Sequence, residues 1–322
     1  MIKVALVGIG AMGFVHYKAY KELENASVIA VADLRTDMAK EKIGEDKVNL
    51  YTSFDEMLKN ENPDMIDICL PSYLHKEYTL KALEAGKHVL CEKPMSLNSE
   101  DSAQMIEAAK KANKHLMIAH VVRFMSPYVY LRETIESKRF GNPIKIDMKR
   151  LSTIPRWSWE NWMRDTNKSG GTPIDLSIHD IDYIQSIFGE PKDVRGTYHK
   201  LNADNDYINS ELIYDGFTVS VLGGWFNTDI SFRAEFIAIF ENGYLEYKNN
   251  IMIENGKEIE IKLGKTSDDT GINLSGADGY ADEIAYFVDC ILNNRSPLKV
   301  TPESSRSSVG LIERILDNSV NI

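Results

Sequence analysis

Cysteine is scarce. Three occur in 322 residues: Cys69, Cys91 and Cys290. They lack the close pairing of a zinc or redox motif, which argues against a disulfide scaffold and leaves buried free thiols as the expectation. Long apolar runs are missing: stretches such as Met65 to Leu70 are strand-sized and broken by Asp67, far short of the ~20 apolar residues of a membrane helix. Excess positive charge is missing too, since 37 basic against 48 acidic side chains give a formal charge of -11. Long-range attraction to nucleic acid or anionic lipid therefore has no global support, which leaves only a local basic patch open. No repeat or low-complexity segment interrupts the chain. Strand-like sequence begins at Ile2 with no basic and apolar leader ahead of it, so a cytoplasmic protein is expected.

What is present is globular in proportion, with 43% hydrophobic and 26% charged residues, and at ~100–200 residues per domain the length suggests two cores. From Met1 to about His120 short apolar runs alternate with amphipathic ones. Ile2–Val7, Val28–Ala32, Met65–Leu70, His88–Cys91 and Leu116–Ala119 read as buried strands, and Ala11–Leu23, Thr79–Ala85 and Glu100–Asn113 as helices, with Asn98 or Ser99 capping the last. That rhythm predicts a parallel sheet with helical crossovers. Beyond Pro143 strands dominate: Ile144–Leu151, Val194–Leu201, Ile208–Tyr214, Phe217–Trp225, Arg233–Phe240, Gly243–Tyr247 and Met252–Ile261. Asn242-Gly243 and Asp215-Gly216 mark tight turns, so an antiparallel sheet is expected. Helices are expected at Pro173–Phe188, Ala281–Leu292 and Pro302–Asn318, and the polar stretch from Lys265 to Gly279 as a mobile loop.

Three motifs carry chemistry. Gly8-Ile9-Gly10-Ala11-Met12-Gly13 follows the first strand and opens a helix, as a dinucleotide pyrophosphate requires: a tight turn, a close backbone approach and a helix N-terminus facing the phosphates. Asp33 ends the second strand, where its carboxylate can accept from an adenosine ribose. It would repel a 2′-phosphate and so favours NAD, while Arg35 keeps NADP open. Cys91-Glu92-Lys93-Pro94 lies just beyond the fourth of these strands, at the carboxyl edge where ligands sit in open parallel sheets, and Pro94 restricts Lys93 to an extended or cis geometry.

The third motif runs from Ser169 to Asp182. Thr172 as N-cap, Pro173 as first helical residue and Asp175 in the first turn read as a helix start; Asp175 and His179, four apart, share a face that Asp182 continues. A carboxylate beside a histidine can orient the ring and raise its basicity, as a general base needs, whereas the alternative is a cap beside a wet helical surface. No third ligand accompanies His179 and Asp182, so no metal site is expected. The segment Arg156 to Arg164 holds three of the four tryptophans. Trp157 and Trp162 there suit a sugar's apolar face, or equally a packed loop or subunit contact. Arg123 could meet an anionic substrate or form a structural ion pair, the second being favoured.

The glycine fingerprint, Asp33, Pro71-Ser72 with His75, the run Ala85 to Pro94 and the Gly170-Gly171 to Asp182 segment together resemble the glucose-fructose oxidoreductase/inositol dehydrogenase (Gfo/Idh/MocA) family over nearly the whole chain. The resemblance implies an α/β protein with an N-terminal NAD(P)-binding Rossmann domain, residues 1–120. A C-terminal α+β domain, residues 121–322, would carry a large, mostly antiparallel open sheet for substrate and oligomerisation, its last helices free to pack back on the first domain. By the family pattern Lys93, Asp175 and His179 are the catalytic set, with Pro71 and Ser72 flanking the cofactor and Glu92 and Lys93 near the nicotinamide. Ser72 stands where relatives often carry Asn or Thr. His75 reaches the active site or merely starts a helix. A homodimer or homotetramer is implied.

These readings converge on hydride transfer between NAD(P) and a secondary alcohol or ketone of a sugar or polyol. His179 would take the hydroxyl proton with Asp175 stabilising the imidazolium, and Lys93 would donate to the reacting oxygen. Two alternatives stand: a non-catalytic NAD(H)-sensing regulator, and NAD-dependent glycoside cleavage with no net redox change.

Overall fold

The structure, a computed structural model, describes residues 1–202, 205–261 and 279–321. Most of the segment expected to be a mobile loop lies outside these residues; its last member, Gly279, opens a helix.

Six strands form the first sheet: β1 (Ile2–Val7), β2 (Ala26–Ala32), β3 (Asn49–Tyr51), β4 (Met65–Ile68), β5 (His88–Glu92) and β6 (Leu116–Ala119), in the order β3-β2-β1-β4-β5-β6 with every pair parallel. Their central residues are apolar on both faces because helices cover both. Val4, Leu6, Ile66 and Leu90 have no exposed surface. The chain reverses direction of travel between β1 and β4, which opens a crevice beyond their carboxyl ends. Sequence periodicity missed the helices Thr36–Ile43, Phe54–Asn60 and Ser126–Glu136 and the strand β3. Asn98 caps the helix Ser99–Ala112 by accepting from the Asp101 amide at 2.8 Å.

The second sheet has nine strands: β7 (Pro143–Thr153), β8 (Asp193–Asn202), β9 (Asn205–Ile213), β10 (Thr218–Phe226), β11 (Arg233–Phe240), β12 (Gly243–Lys248), β13 (Ile251–Glu254), β14 (Lys257–Ile259) and β15 (Ser319–Asn321). Their order is β14-β13-β12-β11-β7-β10-β9-β8-β15. The sheet is mixed rather than wholly antiparallel, since β7 runs parallel to β10 and β15 parallel to β8. The expected strand Met252–Ile261 is a hairpin, β13 against β14, turning at Asn255 and Gly256, both at positive φ. The helix Gly279–Leu292 returns to the first sheet, where Ile284, Phe287 and Val288 pack with Val4, Met65 and Leu90. The helix Pro302–Asp317 lies against both Ser99–Ala112 and Ile178–Phe188. The two sheets are thereby held with a cavity of about 730 Å³ between them.

Candidate active site between the two sheets

The turn after β1 is built by close approach. Gly8 sits at φ +85°, and a Cβ there would lie 2.6 Å from the Cys69 carbonyl oxygen; a Cβ at Gly13 would lie 2.0 Å from the Gly8 carbonyl oxygen. Only glycine allows strand and helix to meet so tightly. The helix Ala11–Lys21 starts from Gly10 without a side-chain cap, leaving its leading amides available to an anion. Gly8, Gly10, Ala11 and Met12 line the cavity, and a Cβ on Gly10 would meet nothing nearer than Arg35 at 3.9 Å. This is an open backbone cradle of the kind a dinucleotide pyrophosphate fills. Ile9 and Gly13 face away from it: Ile9 is buried and contributes its amide, which donates to Asp33 Oδ2 at 2.9 Å.

Asp33 also lines the cavity, its Oδ1 accepting from the Arg35 amide at 2.8 Å. The Arg35 guanidinium lies 5.4 Å from the Trp159 ring, so the tryptophan segment reaches across to the cofactor-binding edge of the first sheet. Lys42, which sequence reading did not single out, donates to the carbonyls of Ile9 and Gly10 at 2.9 and 2.8 Å. Burial, and then Arg35 beside it, lower its pKa. Pro71 and Ser72 complete this wall.

At the other end stand Glu92, Lys93, Asp175 and His179, all lining the same cavity. The Lys93–Pro94 peptide is cis. From just beyond β5, Lys93 Nζ reaches the segment Thr172–Ser177, donating to the Asp175 carbonyl at 2.8 Å and to its Oδ1 at 3.3 Å. The expected Asp175–His179 pair is not formed. Thr172–Ser177 is a π-helical turn that passes into the α-helix Ile178–Phe188, so residues four apart no longer stack across the junction. Asp175 turns to Lys93, and His179 Nδ1 is buried without a partner among the described residues. Nor is Thr172 the cap. It lies inside the turn, Gly171 precedes it, and the Thr172 hydroxyl has no partner among the described residues. Burial, then the cations Lys93 and Arg150, push the His179 pKa well below the usual imidazole range, so the ring is neutral at neutral pH.

Two sequence candidates are placed elsewhere. Arg123 is 8% exposed and does not line the cavity; its Nε and Nη2 donate to both Asp182 oxygens at 2.8 and 2.6 Å, so it is a structural ion pair and no substrate ligand. That also removes Asp182 from the stripe shared with His179. His75 is buried below the crevice with Nδ1 2.6 Å from the Pro94 carbonyl and Nε2 2.8 Å from the Leu70 carbonyl. It braces the loops after β4 and β5 instead of touching a cofactor. Burial lowers its pKa more than the two carbonyls raise it. Trp157 and Trp162 both line the cavity, and Trp157, at 59% exposure, is not packed into a core.

Sequence reading also missed a buried chain behind Glu92. Glu92 Oε1 lies 3.1 Å from His16 Nε2, His16 Nδ1 lies 2.9 Å from Asp67 Oδ2, and the Tyr20 hydroxyl donates to that same oxygen at 2.9 Å. Burial opposes a charge on His16, and Cys69 and Asp67 outweigh it. Because burial keeps the Cys69 thiol protonated, Asp67 carries that attraction. Burial would likewise raise Glu92, but His16 and then Lys93 hold it below the usual carboxylate range. A histidine three residues beyond Gly13, on a helix otherwise packed by apolar residues, was the available signal.

Comparison with known proteins agrees with this geometry. Residues 2–120 match the family model described as "Oxidoreductase family, NAD-binding Rossmann fold", and residues 132–319 match its "C-terminal alpha/beta domain". The chain is 32% identical over 194 residues to a myo-inositol 2-dehydrogenase of Thermotoga maritima, covering 59% of this chain and 55% of that one. It is 32% identical over 197 residues to a D-glucoside 3-dehydrogenase of Escherichia coli, covering 59% and 55%. The alignments thus span about half the length of these curated relatives. A crystal structure of an oxidoreductase from Agrobacterium radiobacter, in complex with NAD+, L-tartaric acid and magnesium, superposes with a TM-score of 0.83 at 16% identity over 99% of this chain and 96% of that one, which shows the shared fold. NAD is the cofactor of the first domain, and the cradle from Gly8 to Met12 with Asp33 fits it.

Proposed function

The chain belongs to the Gfo/Idh/MocA oxidoreductase family, and we propose that it moves hydride between NAD and a secondary alcohol or ketone of a sugar or polyol. When bound, NAD supplies the hydride acceptor. One observation carries the reading: Lys93, just beyond β5, and His179, on the helix Ile178–Phe188, line the cavity that also holds Gly10 and Asp33.

An alcohol must lose its proton as hydride departs, and a neutral imidazole can take it. His179 is that imidazole. Lys93 uses two donor directions on Asp175, which fixes its ammonium, and keeps a third for the reacting oxygen, where it stabilises developing negative charge. Asp175 therefore works by aiming Lys93, a different role from the one its spacing suggested. Residues 1–120 hold the cofactor in this proposal. Residues 121–322 carry the substrate groups other than Lys93 and, through the outer face of the second sheet with Ile239 and Ile251 exposed, join copies into a homodimer or homotetramer. Among the described residues no helix is long and apolar enough to cross a membrane.

The test is a panel of polyols, aldoses and glycosides incubated with NAD or NADP and followed by absorbance of the reduced cofactor. Reduction of NAD by a polyol or sugar supports the proposal. Stoichiometric NAD binding with no reduction by any of them points to a sensor, and free sugar released without net reduction points to glycoside cleavage.

A further inference from the structure

One wall of the cavity holds a cation that no motif marked. Arg150 lies on β7, is 4% exposed, and lines the cavity beside Phe232, Tyr247 and Tyr280. Its Nε and Nη2 donate to the two oxygens of Asp180 at 3.1 and 2.7 Å, and Nη2 also donates to the Tyr128 hydroxyl at 3.1 Å. Nothing among the described residues pairs with Nη1.

We propose that Arg150 determines substrate specificity, its Nη1 donating to a hydroxyl or carbonyl oxygen of a neutral polyhydroxylated substrate. The proposal rests on the function inferred above. Side-on pairing with Asp180 fixes the guanidinium plane, so the free edge is already oriented before substrate arrives. A buried donor left unpaired is costly, and a site built around one rejects ligands that lack the matching oxygen. Asp180 also cancels the charge. Two of the other cations on the cavity wall are also paired with carboxylates, Lys93 with Asp175 and Arg35 with Asp33, while Lys42 is held on the carbonyls of the glycine turn at the cofactor end. A carboxylate or phosphate entering here would shed its water for an ion pair that is already made. The rings of Phe232 and Tyr247 offer apolar surface for C–H faces. Arg150 and His179 line the same cavity, and Arg150 helps to hold the His179 pKa down.

The experiment compares the wild-type chain with Arg150→Lys and with the charge-balanced double variant Arg150→Met/Asp180→Leu, which leaves no buried charge unpaired if the single change fails to fold. The probes are the sugar or polyol turned over best with NAD, its mono-deoxy analogues, and its uronate and phosphate derivatives. Both variants are expected to raise KM for the parent by about 10- to 100-fold, with NAD affinity unchanged. One deoxy analogue, already weaker by a similar factor with the wild type, should lose little more. An equal loss for every analogue, or a wild-type preference for an anionic derivative that vanishes in the double variant, overturns the assignment of Arg150 alone. No turnover of any sugar or polyol by the wild type overturns the function inferred above and this proposal with it.

Discussion

Replacing Lys93 with methionine keeps an unbranched stem of the same length and removes the ammonium at its end. In the structure that ammonium is 2.8 Å from the Asp175 carbonyl and 3.3 Å from its carboxylate, with a side chain 15% exposed, so its position is set before substrate binds. Losing one preorganised donor to a developing oxyanion costs roughly 3 kcal/mol, a fall in kcat of about two to three orders of magnitude. NAD affinity should hold, because the cradle at Gly8 to Met12 and Asp33 is untouched. A second effect follows from charge. Burial and then Lys93 depress the His179 pKa, and the neutral ring is the active form. Wild-type activity should therefore persist as pH falls to well below 6.5, whereas the acid limb of the variant should move upward. Steady-state NADH formation across pH, with NAD affinity from fluorescence titration, reads both. A variant within a few-fold of wild-type kcat, with an unmoved acid limb, would remove Lys93 from the chemistry.

Asp33→Ser removes the carboxylate that the proposal assigns to the adenosine ribose and frees Arg35 from it, so KM for NAD should rise about tenfold and the NADP/NAD preference should shift toward NADP; unchanged cofactor preference would contradict the assignment. Arg123→Met leaves buried Asp182 without its guanidinium partner, held only by the Ser308 hydroxyl at 2.8 Å and beside His120 at 3.3 Å, which should cost about 3 kcal/mol of stability in denaturant titration. Should the loss be no larger than that of an exposed pair, this ion pair has been misjudged. His120 is 1% exposed, and burial pushes its pKa down to about 4. With an unfolded value near 6.5, its contribution is complete above that pH and is lost as pH falls to 4, about 3 kcal/mol in all. His16, raised by its neighbours, acts in the opposite sense and loses its contribution as pH climbs past 6.5. His120→Gln should therefore flatten the acid side of the stability profile, as read by melting temperature between pH 4 and 7.

The first sheet was legible because parallel strands buried on both faces read as short continuous apolar runs, and Ile2–Val7 and Leu116–Ala119 match to the residue. β3 is three residues long, and the helix Thr36–Ile43 buries only Ala39 and Ile43, so neither left a periodic trace. Lys93 was legible from its place after a parallel strand. The partner of Asp175 was not, because a π-helical turn breaks the register on which i, i+4 reasoning depends. Arg123 and Asp182 are 59 residues apart, a pairing only the tertiary fold can make. Arg150 carried a signal that went unread: it falls on the inward side of β7 with Ile146 and Met148, where alternation calls for an apolar residue. A charged side chain at such a position must find a partner, and it did in Asp180.

The account turns on direct transfer from a carbinol carbon to NAD inside one cavity. The chain, mixed with NAD and a polyol carrying deuterium on that carbon, should yield NADH that contains the deuterium, and should turn over the labelled polyol more slowly than the unlabelled one. NAD that binds one per chain and stays oxidised with every polyol and sugar offered, or NADH without the label, would contradict it.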